Sequence, residues 1–167
     1  EIDSNLPEAI VSQALFKLFY DRNWSGAEQD FKQVLTINPG YAFARTLYAS
    51  ELMVITARFD EAIEEMKRSL EMDPLSLVAS RDIGMIYYYA RKFDQAILSL
   101  KKTIEMDPNF IHAHGLLGLV YLEKSMSEEA LSELKKEVDI SRGSDPTAEL
   151  WIGIAHARME KMDDANE

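Results

Sequence analysis

An all-α fold of helix-turn-helix pairs, four complete and a fifth unfinished, is predicted by three observations. Five prolines, Pro7, Pro39, Pro74, Pro108 and Pro146, recur at intervals of 32 to 38 residues. A ladder of alanines, Ala27, Ala62, Ala96, Ala130 and Ala165, recurs more regularly, at 35, 34, 34 and 35. No stretch alternates with period two for long enough to make a strand, whereas apolar residues fall again and again at helical spacing. Two independent ladders of one period mark an internal repeat. A repeat this short cannot bury its own apolar face, so it must stack on its neighbours.

The elements follow in order. The first repeat, about 8–41, opens with a helix over roughly 8–21 and continues with one carrying Trp24, Ala27 and Phe31. The second, about 42–76, pairs a helix near 42–56 with one over 60–72. In the latter Ala62, Ile63, Met66, Ser69 and Leu70 share a face, and Glu61, Glu64, Glu65, Lys67 and Arg68 fill the other. This repeat is one residue longer, and the extra residue is expected between its helices. The third, about 77–110, repeats the scheme with helices near 77–90 and 94–106, the second carrying Ala96, Ile97, Leu100 and Ile104. The fourth, about 111–145, pairs a helix near 111–124 with one carrying Ala130 and Leu134. Pro39, Pro74 and Pro108 each stop a helix, because proline lacks an N–H and drives the preceding residue out of the α region. Pro146 falls 16 residues after its alanine instead of 12, so it is expected to open the fifth repeat's first helix, near 146–159, behind Ser144-Asp145. The fifth repeat, 146–167, is partial: Leu150, Trp151, Ile152 and Ile154 supply a first helix, and a second is expected to begin near Asp163. Residues 1–167 read as a single domain.

Composition narrows the function. The 167 residues are 47% apolar and 28% charged, with 18 basic against 29 acidic side chains and a net charge of −11. Phosphate backbones call for the opposite sign, so nucleic acid is not an expected partner. No apolar run approaches the ~20 residues of a membrane span, and no membrane partner is expected. The absence of cysteine removes thiolate chemistry and disulfides. No signal peptide is visible, the expected location is cytoplasmic, and a start at Glu1 reads as a piece of a longer protein. The seven glycines are scattered singly and form no phosphate loop. His112 and His114, two apart on an expected helix, point to different sides and cannot chelate one ion. His114 and His156 are the pair that neighbouring first helices could bring together, and satisfied or solvent-facing rings are the expected outcome. The acid pairs Glu64-Glu65, Glu128-Glu129 and Asp163-Asp164 suit solubility and helix dipoles. No catalytic residue, cofactor or metal is expected, so the chain reads as non-catalytic.

With its two ladders, with Gly84, Gly118 and Gly153 in the first helices and with Tyr87 and Tyr121 three residues after two of them, the chain resembles the tetratricopeptide repeat (TPR) family, a 34-residue helix-turn-helix unit. The resemblance implies a right-handed superhelix in which Gly84, Gly118 and Gly153 pack close to the alanine ladder, Gly84 against Ala96. The family's tryptophan four residues into the repeat is missing; Val11, Ser80, His114 and Glu149 stand there. The resemblance also implies a concave groove lined by the first helices. Its residues here are Phe43, Leu47 and Ser50 from the second repeat, Val78, Arg81, Asp82, Met85, Tyr88 and Tyr89 from the third, and His112, Leu116 and Leu119 from the fourth. The family's clamp for a C-terminal carboxylate is absent, since Ser12, Phe16, Leu47, Val78 and Asp82 hold its places. An apolar, aromatic trough remains, suited to a neutral or basic peptide or protein partner. More loosely, Tyr20-Asp21-Arg22-Asn23-Trp24 and Ile37-Asn38-Pro39-Gly40-Tyr41-Ala42 are similar to the TPR tails of prokaryotic regulators with a cyclase, kinase or winged-helix effector domain. The alternative is a structural role, with self-association through the C-terminal end, where Ile152 and His156 are expected to lie open.

Overall fold

A computed structural model describes residues 6–142 and 146–164, with side chains through residue 157. Among the described residues all regular structure is helical. The helices are α1 (Pro7–Phe19), α2 (Trp24–Ile37), α3 (Ala42–Leu47, continuing into a π-helical stretch Tyr48–Met53), α4 (Phe59–Met72), α5 (Leu77–Tyr89), α6 (Phe93–Met106), α7 (Ala113–Glu123), α8 (Ser127–Ser141) and α9 (Pro146–Asp164). They fall into two compact units, Glu1–Ile86 and Tyr87–Glu167.

Both kinds of turn repeat. Within each pair the first helix ends on a left-handed residue: Arg22, Ala57, Arg91 and Ser125, with φ of 51°, 57°, 58° and 59°. The next residue's N–H then bonds back to the helix, Asn23 to the Lys17 carbonyl, Arg58 to Met53, Lys92 to Tyr87 and Met126 to Tyr121, at 2.8–2.9 Å. The last three are the Schellman closure, and the first is one residue wider; all four are built without the glycine that usually relieves such a turn. Between pairs, Asn38, Asp73 and Asp107 leave the helix with φ near −133°, −134° and −148°. The proline follows at once, and the chain folds over it through bonds such as Tyr41 N–H to the Asn38 carbonyl, 3.1 Å. Pro146 is the first residue of α9, as its spacing predicts.

Three expectations are corrected. The extra residue of the second repeat lies inside the first helix, where one added residue converts an α turn into the π stretch Tyr48–Met53. His112 precedes α7 in a left-handed conformation, φ 70°, instead of lying on the helix. Helix α9 runs unbroken to Asp164, so no second helix starts near Asp163. Ala165, Ser144 and Asp145 lie outside the described residues.

The core of the first unit is built from Ile10, Val11, Ala14 and Leu18 of α1, Ala27, Phe31 and Val34 of α2, Tyr48 and Leu52 of the π stretch, and Ala62, Ile63 and Met66 of α4. Phe31 and Tyr48 stack with centroids 5.4 Å apart. In the second unit Ala96, Leu100, Leu117, Val120, Tyr121, Ala130, Leu134 and Ala155 form one cluster, against which Trp151 and Ile152 pack. Ile152 is therefore not open as expected, although His156 is exposed. Gly84 is buried. A Cβ on Gly118 would lie 2.6 Å from Leu134 Cγ and 3.3 Å from the Ala130 carbonyl oxygen. At Gly153 it would meet nothing within 4 Å, because α9 does not turn back over it.

Candidate functional site

The expected groove residues separate into exposed, half-buried and buried groups. In the first unit Phe43 is 53% and Val78 40% exposed. They flank a recess of about 70 Å³ floored by Thr46 and Ser69, whose hydroxyls are 2.8 Å apart. Leu47, Arg81 and Met85 are half-buried. Ser50 and Asp82 lie below the surface, at 3% and 4% exposure. Arg81 covers Asp82, donating from Nε and a terminal nitrogen to Oδ1 at 2.9 and 2.6 Å. Burial pushes the Asp82 carboxyl up, and Arg81 works against it.

Glu51 has no counterpart among the expected groove residues. It lies in the π stretch, and the extra residue there is its sequence signal. Burial pushes its carboxyl above the usual range, the Asp82 charge adds to that, and Arg81 opposes it. The first unit thus holds two carboxyls and one guanidinium at one place.

In the second unit Tyr89 is 49% exposed and meets Tyr88 edge-on, centroids 5.4 Å apart. Tyr88, Leu116 and Leu119 pack against the core cluster, so part of their apolar surface is already used. His112 is exposed, with Nδ1 3.6 Å from Glu137 Oε1. Glu137 itself is fully buried on α8. Its carboxylate accepts the N–H of His112 at 2.9 Å and of Gly115 at 3.0 Å, capping α7 from the neighbouring helix. Cap and dipole both favour an anion there.

His114 is a structural residue. It is 4% exposed, with Nδ1 2.5 Å from Glu133 Oε2 and Nε2 3.0 Å from the Pro108 carbonyl oxygen. Both ring nitrogens are occupied, and neither is available to a metal. Burial pushes the Glu133 carboxyl up, but Lys136 and His114 outweigh it and hold it below the usual range. Arg45 makes the same pair of contacts one unit earlier, to Glu65 and, at 3.1 Å, to the Pro39 carbonyl oxygen. Near the family's missing tryptophan these repeats place a nitrogen-bearing side chain, Arg45 or His114, that ties the proline turn to an acid on the second helix. Its signal was in the spacing: Glu65 and Glu133 each stand three residues after a ladder alanine. Among the described residues no group of three or more acidic, histidine or cysteine side chains is arranged to hold a metal. Among the described residues no helix is long and apolar enough to cross a membrane.

A family model for the tetratricopeptide repeat matches residues 82–110. That segment is a tetratricopeptide repeat. The rest of the chain has the fold of TPR proteins, all-α and built of helix pairs. It is similar to PilW, a type IV pilus biogenesis factor, with TM-score 0.82 and 21% identity over 95% of this chain and 74% of that one. It is similar to TTC0263, a thermophilic TPR protein of Thermus thermophilus, with TM-score 0.79 and 19% identity over 90% and 81%. It is also similar to YrrB, a TPR protein with an unusual peptide-binding site, with TM-score 0.70 and 20% identity over 87% and 74%. No curated protein sequence matches the chain.

Proposed function

We propose that this chain is a non-catalytic protein-interaction module that takes a peptide segment on the faces of its first helices, within a larger regulatory protein. One observation carries the reading. Large apolar side chains stand in solvent on the successive first helices of the first unit: Phe16 at 54%, Phe43 at 53% and Val78 at 40% exposure. Contiguous exposed apolar surface marks an interaction site, and the proposal takes these side chains as parts of one. A peptide is favoured as the partner class because tetratricopeptide repeats are interaction scaffolds and because the similar YrrB has a peptide-binding site. The test is selection from a displayed peptide library, followed by titration of the best peptide against the wild type, Met85→Glu and Phe43→Ser. Both variants should bind at least tenfold more weakly with an unchanged circular dichroism spectrum. Unchanged affinity in both would refute the reading.

Self-association through α9 is a second reading. Leu150 is 62% exposed, and the space around Gly153 is open. Sedimentation of the wild type beside Leu150→Lys decides it, since a dimer formed there must dissociate in the variant.

A further inference from the structure

The turn between α6 and α7 is fastened by a histidine. The chain leaves α6 at Asp107, passes Pro108 and returns through the Phe110 N–H to the Asp107 carbonyl, 3.2 Å, and the Ala113 N–H to the Phe110 carbonyl, 3.3 Å. His114, in the first turn of α7, is buried, and each of its ring nitrogens faces an acceptor. A carbonyl oxygen can only accept, so Nε2 must carry a proton to bond Pro108 at 3.0 Å. Glu133 Oε2 lies 2.5 Å from Nδ1 and belongs to a carboxyl held below its usual range, so Nδ1 must donate as well. Both bonds together require the imidazolium. Arg45 closes the Pro39 turn in the same way with a guanidinium, which keeps its charge at any ordinary pH. The other charged groups near the ring are accounted for. On α8, Lys136 backs Glu133 at 2.8 Å, and Glu137 accepts the His112 and Gly115 N–H groups. In the turn, Asp107 accepts the Asn109 N–H at 2.9 Å. Among the described residues, α6 and α9 place no hydrogen-bonding or ion-pairing side chain on the ring.

We infer that His114 is a proton-operated latch on the α6–α7 turn: doubly protonated it holds both Glu133 and the Pro108 carbonyl, and singly protonated it releases Pro108. The direction follows from which proton leaves. The Nδ1 proton is held by a carboxylate and the Nε2 proton by a neutral carbonyl, and a charge-assisted hydrogen bond is about twice as strong as a neutral one. The Nε2 proton therefore passes to solvent first. What remains is a lone pair on Nε2 facing the lone pairs of the Pro108 oxygen at 3.0 Å, a contact that repels. The joint between the third and fourth repeats thus loosens as pH rises, whereas the arginine-closed Pro39 turn has no such release.

The test follows three signals of the intact chain by NMR between about pH 5 and pH 9: the His114 ring nitrogens, the Pro108 carbonyl carbon and amide protection in the turn. Site assignment separates His114 from the exposed His112 and His156. Nε2 should be the nitrogen that gives up its proton, and the Pro108 carbonyl signal should move with the same midpoint. Protection factors of the Phe110 and Ala113 amides should then fall by about tenfold, while those of Tyr41 and Ala42 at the Pro39 turn hold. Glu133→Gln leaves the last ring proton free to sit on Nε2, so it should uncouple the Pro108 signal from the titration. His114→Arg should abolish the pH response and keep the protection; if that variant does not fold, the wild-type and Glu133→Gln titrations decide alone. A ring that keeps one protonation state throughout the range, that loses the Nδ1 proton instead, or that titrates with the Pro108 carbonyl unmoved would overturn the inference.

Discussion

Glu137 offers the sharpest test of how the second unit is held together. Its carboxylate is 0% exposed and accepts two backbone N–H groups at the start of α7, from His112 and Gly115. Replacement by leucine keeps the volume and removes both acceptors. Each buried N–H left without a partner costs about 1–3 kcal/mol. Removing the anion from the helix N-terminus adds about 0.5 kcal/mol or more. Against this stands relief from burying a carboxylate, which is several kcal/mol before its hydrogen bonds are counted. The net expectation is a loss of about 2–3 kcal/mol. Glu137→Gln keeps one acceptor oxygen but turns an NH2 toward a donor, so it should fall between, near 1–2 kcal/mol. Urea titration of the three proteins gives the ordering, and hydrogen exchange at the Gly115 amide locates it. Leucine equal to or better than the wild type, with Gly115 still protected, would show that the carboxylate contributes no net capping.

Other perturbations divide by local geometry. Gly118→Ala should lower stability by about 1 kcal/mol, since overpacking against Leu134 and the Ala130 carbonyl exceeds the gain in helix propensity. Gly153→Ala should raise it by about 0.5–1 kcal/mol, because nothing opposes the new methyl; thermal melts with the same sign for both would contradict the packing. Ala57→Gly should stabilise by about 0.5 kcal/mol, as relief of the left-handed conformation outweighs the added freedom of the unfolded chain, and an unaltered urea midpoint would count against strain at that turn. Lys32, Arg58 and Tyr48 hold the Glu28 carboxyl down to about 2, with burial opposing them. A depressed acid stabilises above its ordinary range and loses that contribution as pH falls toward the folded value. The stability difference between the wild type and Glu28→Gln should therefore be about 1 kcal/mol at neutral pH, allowing for solvent screening, and vanish between pH ~4.5 and ~2.

The fold was legible wherever punctuation and apolar period agreed. Helices α4 and α6 run from Phe59 and Phe93 to Met72 and Met106, within a residue of the limits set by their prolines and acid first turns. The π stretch was not legible as such, because an insertion shows in a repeat length but not in its location. The left-handed turns were hidden as well, since Arg22, Ala57, Arg91 and Ser125 carry none of the usual glycine signal. The candidate site was read less completely. Phe43, Val78 and Tyr89 stand out in solvent where the family resemblance put groove residues, but Ser50 and Asp82, carried over by the same register, are covered. A helical wheel cannot tell that Arg81 will fold over Asp82. Glu137 reads as one more surface acid in a charged stretch, and only its equivalence to the buried Val34, Ser69 and Thr103, each seven residues after a ladder alanine, marks it as internal.

The central claim is that a partner peptide occupies the first-helix faces, and a chemical-shift map of the chain with a library-selected peptide tests it most directly. Perturbations centred on Phe43, Val78 and Met85, with the outward charged faces of α4 and α6 unmoved, are the predicted result. A map centred on those charged faces, leaving the exposed aromatic residues unchanged, would contradict it.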